Sequence, residues 1–376
     1  MKTILGICMA LTASAMACTW ETDLPDEAKS IAIVEDKELL ITDERLGPGV
    51  GSNQAAGALS FARATKALGL AGGAAQGVSG FMQAWSQALR NEGDDGRATK
   101  LDAQVICPWL RRTSANGCDS TCAVCKAREL SLESAPLRLI AVVNRTDLSV
   151  MPDRAGAGGE GRLVFAVTDG PGDDVGAAAL PITVIYEYAQ HGPATEWAKR
   201  WHALGGVNDA AYAAALTTVT DVFVANGALA QVRTADAWTG PMRLHQFEVI
   251  DGSLKLTPVR NSPDWAHLAT TEVSHYVSRN ASAIDDGTYL LPKDWWAMSS
   301  SLGNVVPKDR PIPRADLLSK GTCGGCHAQT PAGFQIDPLA QGRARISTFL
   351  RTESHDANDE LSRRTAWTQL TLAGMH

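Results

Sequence analysis

Cys323, Cys326 and His327 stand in the stretch KGTCGGCHAQT, two thiols three positions apart with an imidazole directly after the second. On one helical turn, side chains three and four positions apart share a face. Two thiols so placed can each form a thioether with a vinyl group of one porphyrin, and the adjacent neutral imidazole is a residue type that ligates iron. The spacing therefore predicts one covalent haem c, anchored at Cys323 and Cys326 with His327 on the iron. Two other readings of the same residues stay open. One is a Cys323–Cys326 disulfide beside a surface histidine; the other is a zinc site, for which the stretch supplies at most three of the four ligands zinc takes.

A second axial ligand is less clearly marked. No methionine lies between His327 and Met375, where a small cytochrome c places one. His355, in the loop ahead of the last helix, is the best candidate in chain order, followed by Met375, Met298 and His376. An iron with an open position suits oxygen, peroxide or small-ligand chemistry, and a six-coordinate iron suits electron transfer.

Four more cysteines cluster as Cys107, Cys118, Cys122 and Cys125. By count they could hold zinc or an iron–sulfur cluster, but in an exported chain oxidation favours two disulfides, with three pairings open. Export is the expectation from MKTILGICMALTASAMAC: basic Lys2, an apolar run over 4–11, and small residues at 15–17, with residues 1–17 as the signal. The apolar run is too short for a permanent span. Cleavage after Ala17 leaves Cys18 first in the mature chain, where a bacterial lipoprotein carries its lipid, although Ala15 stands where a larger aliphatic residue is usual. Cysteine parity agrees with lipidation at Cys18, because Cys8 leaves with the signal and the remaining six divide into the cluster and the 323/326 pair. The expected location is the periplasm or outer membrane, with the Cys18 lipid as the membrane contact.

The formal charge of −7 over 376 residues, with no long basic run, excludes the electrostatic footprint of a nucleic-acid or anionic-membrane binder. A redox partner protein or a small-molecule substrate is the expected partner. A chain of this length buries a full core without disulfides.

The elements that must position the thiols follow from periodicity. Residues 18–54, with LGPGVGSNQ, suggest a tether ending in a turn. Residues 55–90 predict two helices broken at Gly72-Gly73, the second with Val78, Phe81, Met82, Trp85 and Leu89 on a core-facing stripe. Runs at 137–148, 162–169 and 181–189 are strand-like, and GAGGEG at 156–161 precedes a strand instead of opening a helix, which rules out a dinucleotide loop. Residues 194–225 read as helix, LAQVRTAD and RLHQFEVIDGSLKLTPV as strands with a turn at Asp251-Gly252, and 261–280 as helix. His267 and His275, eight apart on that helix, lack interposed carboxylates and are read as structural. The expected fold is α+β: a mixed helix and mainly antiparallel sheet domain over 55–300, then a small α-helical cytochrome-c-like module over 301–376.

The chain resembles a family of exported proteobacterial and myxobacterial proteins of uncharacterised function that end in a cytochrome-c-like CxxCH segment. The resemblance is carried by ALSFARATKAL, FMQAWSQAL, PLRLIAVVNRTDL, GEGRLVFAV, TVIYEYA, WAKRWHALG, LAQVRT, TCGGCHAQT, ISTFL and DELSRR, in that order over most of 55–370. It implies a single haem. Relatives carry a Phe-x-His-x-x-Pro-Arg-like stretch after the motif; here FQIDPL has Gln335 where the histidine is expected and Leu339 where the arginine is. That departure implies no histidine ligand at this place, and it strengthens a second reading, a disulfide-stapled secreted or lipid-anchored binding protein without haem.

Overall fold

Strands rich in β-branched and aromatic residues pair in sequence order to build an antiparallel sheet. The computed structural model describes residues 24–46, 49–113, 130–154, 157–225, 228–238, 240–285, 287–301, 305–327, 334, 336–338, 345–347, 350 and 360–375. Its eight-stranded sheet comprises β1 (Leu40–Thr42), β2 (Leu137–Arg145), β3 (Ala157–Thr168), β4 (Ala179–His191), β5 (Leu229–Asp236), β6 (Arg243–Ile250), β7 (Ser253–Thr257) and β8 (Ser299–Ser301). Neighbours run β1 to β7 in order, and β8 pairs with the part of β6 that β7 leaves open. The fold is α+β, as the sequence predicts.

Both faces of the sheet are covered. On one, Phe165, Val184, Tyr186, Val232 and Phe247 meet helices Phe61–Lys66, Ala74–Asn91, Ala194–His202 and Asp209–Val224 in the largest apolar core. Phe61 meets Phe165 edge to face at 5.7 Å, and Phe81 meets Phe247 likewise at 4.9 Å. In this layer Thr65 Oγ1 lies 2.9 Å from the buried Tyr186 hydroxyl, within hydrogen-bonding distance. On the opposite face, Val143, Val164 and Ala166 pack under Ile336, Leu350 and Leu361 of the C-terminal segment. The strands are therefore covered on both sides, which is why their sequences read as largely hydrophobic runs. A separate cluster joins Trp265, Tyr276, Tyr289 and Trp295 to Val306, Ile312 and Leu318.

Local signals hold well. Gly72 and Gly73 have φ of 74° and 92°, and helix Ala74–Asn91 begins directly after them with its stripe buried. Asp251 and Gly252 both have positive φ, at 52° and 71°, as the tightest hairpin turn between β6 and β7 requires.

Four expectations change. Residues 194–225 form two helices, not one, because Gly205 packs on buried Glu38, where an added Cβ would fall 2.1 Å from Oε1, and Asn208 caps a new helix by accepting from Ala211 N–H. The helix expected over 261–280 starts only at Thr270, since Asn261 has φ of 55° and Pro263 bridges to Trp296. In the described part of 18–54 the chain is no tether: β1 pairs with β2, and Ala28, Glu38, Leu39, Leu40 and Ile41 are buried. Gly158, Gly159 and Gly161 of GAGGEG lie within β3 itself. There Gly158 and Gly161 let Trp197 and Phe223 approach the backbone, for an added Cβ would sit 2.1 Å and 2.4 Å from those rings.

Candidate functional site

The CGGCH stretch is a short helix, Cys323–His327, that follows helix Ala315–Lys320 after a two-residue corner. Thr322 caps it: its hydroxyl accepts from Gly325 N–H at 3.2 Å and donates to Ser319 O at 2.7 Å. The corner is pinned from outside. Asn261 Nδ2 donates to Gly321 O at 2.7 Å, and the Tyr289 hydroxyl donates to Leu318 O. Gly321 has to be glycine, since a Cβ would lie 2.2 Å from the Tyr289 oxygen.

This anchoring sets the helix on the second face of the sheet. Cys323 is half-buried against Ala235, Met242, Leu244 and Phe334; its Sγ donates to Arg260 O at 3.3 Å and lies 3.9 Å from Arg233 Nη1. His327 lines a cavity of about 60 Å³ between this helix, the sheet and the C-terminal cover. The cavity has an apolar wall, including Val143, Val164, Ile185, Leu244 and Phe334, and a charged floor of Arg145, Arg162, Arg233, Arg364 and Glu187.

The floor belongs to a buried ionic network. Glu160 has no solvent exposure and takes Arg154 at 2.6 Å and Arg162 at 2.7 Å. Glu187, equally buried, sits between Arg162 at 3.3 Å and Arg233 at 3.6 Å and accepts from Gln231. Asp147 takes Arg145 at 2.9 Å and Arg363 at 2.8 Å, and Glu360 holds Arg363 and Arg364. Burial alone would raise the carboxyls of Asp147 and Glu160, but the adjacent guanidiniums outweigh it and hold both well below the usual range. Arg364 shows the reverse: burial, followed by repulsion from Arg145, lowers it to about 10.

These side chains suit a haem on the CxxCH helix. Apolar side chains can face a macrocycle, guanidiniums can take its propionates, and His327 and Cys323 share one neighbourhood. In the conformation described, the cavity is smaller than a porphyrin, so a bound haem needs the cover around Phe334, Ile336 and Leu350 to stand further off the sheet.

The other expected site residues are placed as follows. The Cys326 backbone is in the helix, and its side chain lies outside the described residues, as do Cys18, Cys118, Cys122, Cys125, His355 and His376. Cys107 is buried and disulfide-bonded. Met298 and Met375 are exposed, and neither lines the cavity. His267 is exposed and paired with Asp264 at 2.7 Å. Among the described residues, no three His, Cys, Asp or Glu side chains converge as a metal-ligand set, and no helix is long and apolar enough to cross a membrane.

The arginine floor is absent from any motif, yet the sequence carries a trace of it. Glu160 and Arg162 in GEGRLVFAV, Glu187 in TVIYEYA and Arg233 in LAQVRT are charges inside otherwise apolar strands, the mark of a buried polar network on a covered face. No family model, curated protein or solved structure matches the chain.

Proposed function

We propose that this chain is an exported, single-haem c-type protein of the cell envelope, serving electron transfer or peroxide and oxygen redox chemistry with a redox partner protein or a small-molecule substrate. The observation that carries this reading is the meeting of His327 with an apolar, arginine-floored cavity, beside the half-buried Cys323. Cys323 and Cys326 would anchor the group, His327 would ligate its iron, and the sheet face would exclude water from one side. When bound, the haem supplies one-electron redox chemistry or, with an open axial position, activation of oxygen or peroxide.

Production in a host with cytochrome c maturation, denaturation and a pyridine haemochrome spectrum test it. Covalently retained haem that disappears in Cys323→Ser/Cys326→Ser supports the reading; colourless, folded protein overturns it. In the loaded protein, His355→Ala tests the second axial position, and an unchanged ferric spectrum excludes His355. Membrane fractionation of wild type against Cys18→Ala tests the lipid anchor.

The second reading is a disulfide-stapled secreted or lipid-anchored binding protein without haem. It is favoured by the small size of the cavity and by the disulfide at Cys107.

A further inference from the structure

Among the described residues, the cavity beside His327 carries positive charge that its own carboxylates do not balance. Arg145, Arg162, Arg233 and Arg364 line it against the single carboxylate of Glu187. Behind them, Arg154, Arg260 and Arg363 are set against Asp147, Asp153, Glu160 and Glu360. Seven guanidiniums thus meet five carboxylates among the described residues, an excess of two cations in a chain whose net charge is −7.

Uncompensated buried charge is costly, and a counter-ion relieves the cost. Arg364 shows where the deficit falls. Its side chain is 3% exposed, and it pairs at 3.1 Å with Glu360, a carboxylate that also serves Arg363. Burial and the nearby Arg145 lower its pKa, whereas its neighbour Arg363, clamped by Glu360 and Asp147, is raised. Arg233 Nε is buried with no hydrogen bond among the described residues, 3.6 Å from a Glu187 that it shares with Arg162.

The remaining lining selects among anions. A planar carboxylate matches the guanidinium fork, and the apolar wall disfavours a fully hydrated inorganic ion. A cavity of about 60 Å³ admits only a short arm behind the carboxylate.

We propose that this cavity is a carboxylate-binding site, in which the guanidiniums of Arg145, Arg162, Arg233 and Arg364 hold the head of a ligand whose short apolar arm lies on Val164, Ile185 and Leu244. The inference deepens the haem reading, in which a porphyrin propionate is one source of the carboxylate; a free short-chain acid is the other.

Calorimetric titration of the full-length chain, prepared with and without haem, tests it with butyrate as the probe and 1-butanol and sulfate as controls. The haem-free chain is expected to bind butyrate saturably, to ignore butanol and to bind sulfate at least tenfold more weakly. Arg364→Gln and Arg233→Gln each weaken butyrate at least tenfold. If either variant loses its native circular dichroism, Ala235→Val, which narrows the cavity without removing charge, is expected to weaken butyrate in the same way. Loss of butyrate binding on haem loading assigns the site to a propionate, and retained binding assigns it to a free acid. No saturable butyrate binding by the folded, haem-free chain overturns the proposal, as does sulfate binding of equal strength or butyrate binding that none of the three substitutions changes. Haem retention by a chain whose haem-free form does not bind butyrate sinks this inference alone, and butyrate binding by a chain that never retains haem sinks only the haem reading.

Discussion

Arg233 Nη1 lies 3.9 Å from Cys323 Sγ, across 90 residues of sequence. The contact joins β5 of the central sheet to the first thiol of the CxxCH helix. It places that thiol beside a guanidinium whose main partner is buried Glu187. Whatever occupies the cavity therefore meets residues from both halves of the chain.

The C-terminal helix Glu360–Leu372 is held on the sheet by charge as well as by Leu361. Arg363 contacts Asp147, whose side chain is 2% exposed, and Glu360. Arg363→Ala removes one of the two guanidiniums paired directly with Asp147 and is expected to cost about 3 kcal/mol. Arg314→Ala breaks a pair with Asp285 of similar geometry but about 40% exposed on each side, and should cost at most about 1 kcal/mol. Urea unfolding of the two variants checks the contrast; equal losses would contradict it.

Acid should loosen the same network. Burial would raise Glu360, but Arg363 and Arg364 prevail and bring it from 4.5 to about 2; Asp147 and Glu160 are lowered in the same sense. A carboxyl lowered in the folded state contributes stability that is complete above its unfolded value and lost as pH falls toward its folded value. Glu38 and Asp236, raised chiefly by burial, act in the opposite direction. The lowered group outnumbers them, so the urea midpoint is expected to fall between about pH 4.5 and about pH 2. A midpoint unchanged across that window would refute the assignment.

Gly161 in β3 faces the Phe223 ring, and a methyl group there would approach it to 2.4 Å. Gly161→Ala is expected to destabilise by about 2 kcal/mol through overpacking, seen as a lower unfolding midpoint.

Gly80 gives the opposite sign. It lies exposed inside helix Ala74–Asn91 with nothing within 4 Å of an added Cβ. Gly80→Ala should stabilise by about 0.8 kcal/mol, because alanine loses less backbone entropy in a helix. Thermal unfolding of this variant beside Gly161→Ala measures both effects.

Much of the fold is legible in local pattern. The strand-like runs at 137–148, 162–169 and 181–189, the break at Gly72-Gly73, the turn at Asp251-Gly252 and the buried stripe of Ala74–Asn91 each depend on neighbours a few positions away, and each appears in the structure. The errors arise where distant contacts prevail. Glu38 meets Gly205 at the break between helices Ala194–His202 and Asp209–Val224, and β2 recruits β1 from a segment with no strong strand pattern.

The candidate site divides in the same way. The sequence alone marks Cys323, Cys326 and His327, because three residues on one helical turn need no other part of the chain to share a face. Only the tertiary structure brings Arg145, Arg162, Arg233 and Arg364 to His327. Those side chains converge through antiparallel pairing of β2 to β5 and through docking of the last helix over Asp147, and strand register across such separations is set by burial and pairing, not by local propensity.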